Sequence, residues 1–135
     1  MTLRELYTAL EGYALSIPDI RTTVENDVTR LNEMREVQYG VFAITQNSHS
    51  SRQGWMVFNL NIFYIDRLVN SQDNEVQIQS HAIEVLKAII KKAAEDGIQV
   101  GDATYTSFHD RFQDLCSGAF AALTFTVPDS ECVEI

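Results

Sequence analysis

The chain has 135 residues, 45% of them hydrophobic, which makes a single domain (residues 1–135) with a real core the expectation. Nineteen acidic residues against ten basic ones give a net charge of −9 and a pI near 4.6. That balance argues against non-specific nucleic-acid binding, which needs clustered Lys and Arg to displace counterions, and it agrees with a protein that stays soluble until it assembles.

From Thr2 onward, Leu3, Leu6, Leu10, Ala14 and Ile17 recur at spacings of three and four, which predicts an amphipathic helix. Thr2 and Glu5 have capping-box spacing, and Pro18 ends the run. Residues 19–36 are polar and acidic. Asp27, Val28, Leu31 and Met34 suggest one helical turn within them. Residues 37–46, VQYGVFAITQ, are rich in β-branched and aromatic side chains and read as a strand, with Gly40 marking a bulge or a close neighbour. NSHSSRQG follows as a polar hairpin loop.

Residues 55–66 form the second predicted strand. Met56, Phe58, Leu60, Ile62 and Tyr64 share one face, while Val57, Asn59, Asn61, Phe63 and Ile65 share the other. The two asparagines make the second face the wetter, so the first set is expected in the core. Beyond a polar connection, with Asp73 or Asn74 as cap, Ile78, Ala82, Val85, Leu86, Ile89, Ile90 and Ala93 define a long amphipathic helix stopped by Gly97. A less regular strand over 98–108, a turn over 110–117 and a strand over 118–127 complete the chain. Residues 128–135 are expected as a flexible acidic tail. The predicted order is α–β–β–α–β–β: an α+β fold with a four-stranded, mainly antiparallel sheet and two helices on one face.

Chemical machinery is sparse. Cys116 and Cys132 form no CxxC and stand near no His at metal spacing, so reduced thiols of a cytosolic setting are the plain reading. His49, His81 and His109 form neither HxH nor HxxxH, and no metal site or cofactor is expected. Cys116 with His109 and Asp114 is the one grouping with catalytic chemistry, and no signature surrounds it. There is no GxGxxG and no GxxxxGK. Lys87, Lys91 and Lys92 lie late in the long helix, where a solvated face explains them. The beginning of the sequence lacks the apolar run of a signal peptide, and no segment matches a membrane span. The expectation is a protein that is not an enzyme and touches neither membrane nor specific nucleic-acid sequences.

Aromatics are more informative. Trp55 and Phe63 fall on the strand face opposite the core set, where an aromatic marks a contact surface. Arg67 and Arg111 each follow an aspartate where a strand hands over to a loop, a place suited to pairing with a partner's carboxylate or with a neighbouring element. These four are the candidate subunit-interface residues.

The words YIDRL at Tyr64–Leu68, IQS at Ile78–Ser80 before the hydrophobic helix, and FxDxCxG at Phe112–Gly118 before the last strand belong together. Their ensemble resembles small virion proteins of tailed phages that infect Bacteroidales, the crAss-like group included. The resemblance implies a structural subunit of the head–tail connector, neck-ring or tail-terminator kind. Its partners would be copies of itself and other neck, portal-associated or tail proteins, in a virion made in the host cytoplasm. It supplies no catalytic residue and does not separate ring adaptor from tail terminator. The alternative is a small ligand- or peptide-binding module, with an apolar pocket between the long helix and Phe58, Leu60 and Phe125.

Overall fold

The computed structural model describes residues 1–26, 39–67, 75–109 (only the backbone of 109) and 116–129. The first helix, α1, spans Leu3–Leu15 and carries the expected capping box: Glu5 N donates to Thr2 Oγ1 at 3.1 Å, and Thr2 N donates to Glu5 Oε1 at 2.9 Å. Leu6, Tyr7, Leu10 and Ala14 form its buried stripe. The second helix, α2, spans Glu75–Glu95 and buries Ile78, Ala82, Val85, Leu86, Ile89 and Ala93. Gly97 closes it in a left-handed conformation (φ 89°). There Ile98 N donates to Ala93 O and Gly97 N to Ala94 O, both at 3.1 Å, and Ile98 is buried behind the turn. This is the Schellman arrangement with its hydrophobic contact.

The sheet differs from the expected four strands. Six strands are present, in a mixed, mostly antiparallel sheet: β1 Thr22–Glu25, β2 Val41–Arg52, β3 Trp55–Arg67, β4 Gln99–Val100, β5 Thr104–His109 and β6 Cys116–Pro128. Their spatial order is β1-β2-β3-β6-β4, with β5 also on β6. The added strand, β1, runs parallel to the start of β2, with Val24 opposite Ala43. It comes from the polar 19–36 segment, whose expected helical turn lies outside the described residues. The single strand expected over 98–108 is broken. Val100 pairs with Phe125 and Thr104 with Ala122, so residues 101–103 face only two residues of β6. That is a bulge, and Gly101 N holds it by donating to Thr124 O at 2.9 Å.

The expected loop 47–54 is mostly strand. β2 runs to Arg52 and turns in two residues, Gln53 and Gly54, the latter at φ 79°. Register slips by one between Gln46↔Leu60 and His49↔Phe58. Asn59 N donates to His49 Nδ1 at 3.2 Å, which leaves the His49 Nε2 proton for Gln46 Oε1 at 3.0 Å, and Asn59 Nδ2 donates to Ser48 O at 2.8 Å. These bonds fix the bulge. β6 begins at Cys116, two residues before the expected start, inside the predicted turn; the rest of that turn lies outside the described residues. The start of the expected tail is tied down: the Met1 ammonium donates to Pro128 O at 2.6 Å and Asp129 N to Gly54 O at 2.9 Å.

Both helices share one core with alternate residues of the central strands: Phe42 and Ile44; Phe58, Leu60, Ile62 and Tyr64; Ala119, Ala121, Leu123, Phe125 and Val127. The face assignment for β3 therefore holds. The opposite face divides along its length. One half buries a second apolar cluster of Val24, Val41, Ala43, Phe63, Ile65, Phe108 and Cys116. In the other half, Asn61 exchanges bonds of 3.3 and 3.4 Å with Asn47 and donates to Thr45 Oγ1 at 3.4 Å.

Candidate functional site

The four candidate interface residues have separate fates. Trp55 is 44% exposed at the foot of the β2–β3 hairpin. Arg67 ends β3 exposed, and among the described residues only its backbone is engaged, with its N–H donating to Asp66 Oδ1 at 2.8 Å. Arg111 lies outside the described residues. Phe63 requires a correction. It points away from the helices as expected but is only 6% exposed. Its ring lies 5.1 Å from Phe120 and 6.2 Å from Phe108. Edge strands β1 and β5 bring Val24 and Phe108 around it, contacts that reading β3 by itself does not reveal.

Each side of the sheet offers an open edge. Only residues 41–44 of β2 are covered by β1, and among the described residues no strand pairs with the outer side of 46–52. On the far side, none pairs with the outer side of Thr104–Ser107. The first edge reads QNSHSSR and the second TYTS, so Arg52, at the very end, is the sole Lys, Arg, Asp or Glu in either.

A polar cleft of about 360 Å³ lies at the other end of the β2–β3 hairpin, lined by Pro18, Asp19, Arg21, Tyr39, Gly40, Tyr64, Asp66 and His81. Backbone bonds assemble its floor: Gly40 N donates to Asp19 O at 3.3 Å, and Arg21 N donates to Gly40 O at 2.9 Å. A Cβ on Gly40 would stand 2.6 Å from Tyr64 Oη, so the close neighbour expected from the sequence is the Tyr64 ring. His81 Nε2 meets Asp19 Oδ2 at 2.7 Å, and the His81 ring stands edge-on to Tyr64 at 5.6 Å. Tyr64 Oη donates to Asp66 Oδ2 at 3.3 Å. Burial, then the Asp66 and Asp19 carboxylates, push the Tyr64 hydroxyl far up, so it remains a donor at any ordinary pH. Sequence reasoning missed this site because its residues come from four separate stretches with no diagnostic spacing.

A smaller hollow of about 140 Å³ lies beside α1, lined by Leu3, Arg4, Tyr7, Asn26 and Gln46. Arg4 grips Glu25 with two bonds of 2.7 and 3.0 Å. Tyr7 Oη and Gln46 Nε2 both donate to Asn26 Oδ1, at 2.5 and 3.1 Å. Burial, then Glu25, pushes the Tyr7 hydroxyl up to about 12. The polar groups around this hollow are thus bonded to one another.

Of the catalytic grouping considered above, Asp114 and the His109 side chain lie outside the described residues. Cys116 is fully buried, with Sγ 3.4 Å from Tyr39 Oη, a poor position for a nucleophile. Among the described residues no three His, Cys, Asp or Glu side chains are placed to hold a metal ion. Among the described residues no helix is long and apolar enough to cross a membrane. The space expected between α2 and Phe58, Leu60 and Phe125 is filled; those side chains are buried in the main core. Two of the late-helix lysines are engaged: Lys87 Nζ lies 3.4 Å from Glu84 Oε1 within α2, and Lys92 Nζ reaches across to donate to Ser16 Oγ at the end of α1. No family model matches the sequence, and no curated protein matches it.

Proposed function

We propose that this chain is a structural subunit of a tailed-phage virion, forming or joining a ring at the head–tail neck or the tail terminus. The resemblance of its strand and helix words to such proteins supplies the setting. The observation that carries the physical side is a pair of unlike, almost uncharged sheet edges that no strand among the described residues covers. An unguarded edge is a template for another strand, and monomeric proteins usually blunt one with Lys, Pro or a covering element. Two different edges on opposite sides of one sheet suit head-to-tail pairing of identical copies, the heterologous contact that closes a ring. Trp55 and Arg67, both exposed, lie at the two ends of β3 and would add side-chain contacts at the rims. Neck, portal-associated or tail proteins would meet the ring through its remaining surfaces, and the chain would work without catalysis, membrane or sequence-specific nucleic-acid binding.

Solution mass measured over a concentration series tests the reading. The expected result is an oligomer, formed alone or with a neck or tail protein. Ser50→Lys on one edge and Thr106→Lys on the other should each weaken it by roughly tenfold or more, because a lysine on a pairing edge must be desolvated beside another strand. A protein that remains single at every concentration and binds no virion component would sink the proposal.

A further inference from the structure

Asp66 and Arg21 both line the polar cleft, and among the described residues neither is paired with the other or with any opposite charge. The Asp66 carboxylate is half-buried and accepts bonds only from neutral donors, the Tyr64 hydroxyl and the Arg67 backbone N–H. Arg21 is exposed and bonds no side-chain acceptor among the described residues, while its backbone N–H donates to Gly40 O at 2.9 Å. The other two ionisable side chains of the cleft, His81 and Asp19, meet each other at 2.7 Å. Asp66 and Arg21 therefore line one concave space, and no ion pair joins either to a described residue. A carboxylate removed from water favours a charged donor over neutral ones, and a guanidinium fork favours a carboxylate.

From this geometry we propose that the cleft binds a small zwitterion of the α-amino-acid class, its ammonium on Asp66 and its carboxylate on Arg21. The side chain of the ligand would lie against the Pro18 and Tyr39 walls. At about 360 Å³ the cleft falls within the size range of small-molecule sites. Two features preform it. Gly40 leaves room that a Cβ would take from the Tyr64 hydroxyl, and the Asp19–His81 pair ties the stretch after α1 to α2 across the rim. The site goes beyond the assembly reading and does not depend on it, since its residues lie on neither open edge.

Calorimetric titration of the full chain with each of the twenty L-amino acids, alongside thermal shift, is the experiment. At least one free amino acid should bind and raise the melting temperature. Its N-acetyl and amide derivatives, each lacking one charge, should bind at least roughly tenfold more weakly, the loss of one charge-assisted contact. Asp66→Asn and Arg21→Gln should lose the same factor, with unchanged far-UV circular dichroism. The derivatives test the proposal on the native protein even where a variant fails to fold. Absence of binding by all twenty overturns it. So does equal binding of free and blocked forms, and so does binding of the amide alone, which would make the cleft a plain cation site.

Discussion

Gly118 sits on β6 opposite Ile65, and a Cβ there would lie 2.0 Å from the Tyr64 carbonyl oxygen. Neither backbone can yield without breaking the central strand pair, so Gly118→Ala should cost on the order of 3 kcal/mol, read as a fall in melting temperature of about 10 °C. Gly12, in the middle of α1, has nothing within 4 Å of its notional Cβ. Gly12→Ala should instead stabilise by about 0.5–1 kcal/mol, the helical penalty of glycine. Glu11 gives a pH-dependent counterpart. Burial first, then a hydrogen bond and repulsion from Glu25, hold its carboxyl above the usual range. A carboxyl raised in the folded state contributes stability that is full below its unfolded pKa and is lost as pH rises through the folded value. Its charge is therefore a cost at neutral pH, kept small by solvent screening of a partly exposed group. Glu11→Gln should raise the melting temperature at pH 7 by about 2 °C. That gain should shrink to nothing as pH falls through the carboxylate range.

The helices were legible because their signals are local. A capping box, a stripe at three-and-four spacing and a terminal glycine all lie within one element, and α1 and α2 formed where those signals stood. Gly97→Ala tests the most specific of them: forcing a Cβ into φ 89° should cost about 1 kcal/mol, measured by denaturant unfolding. Strands were harder because their extent depends on partners distant in sequence. NSHSSR carries turn-like residues, yet it continues β2 because Trp55–Asn59 lies opposite and His49 and Asn59 lock the bulge between them. TTVE is too short and polar to announce a strand; it exists because it runs alongside the start of β2. The cleft was illegible for the same reason, since Asp19, Asp66 and His81 meet only after α1, β3 and α2 have packed.

At the scale of the molecule, the face of the sheet turned away from α1 and α2 is the informative one. A sheet with helices on one side usually leaves its other side to water, but here half of that side buries an apolar cluster while the other half carries the hydrogen-bonded Asn47, Asn61 and Thr45. The two aromatics singled out together from the sequence thus have different surroundings. Phe63 is part of the monomer's own packing, between Phe108 and Phe120. Trp55, nearly half exposed at a sheet corner, adds little to that packing. Phe63→Ala should therefore cost about 3 kcal/mol or more of unfolding free energy in an isolated, dilute chain. Trp55→Ala should leave the unfolding midpoint of the dilute chain within about 0.5 kcal/mol of its original stability, and should shift the concentration at which oligomers form. Denaturant unfolding at low concentration, paired with mass measurement at high concentration, separates the two. If Trp55→Ala unfolds the dilute chain as readily as Phe63→Ala, the corner is part of the core and the rim contact proposed for it is lost.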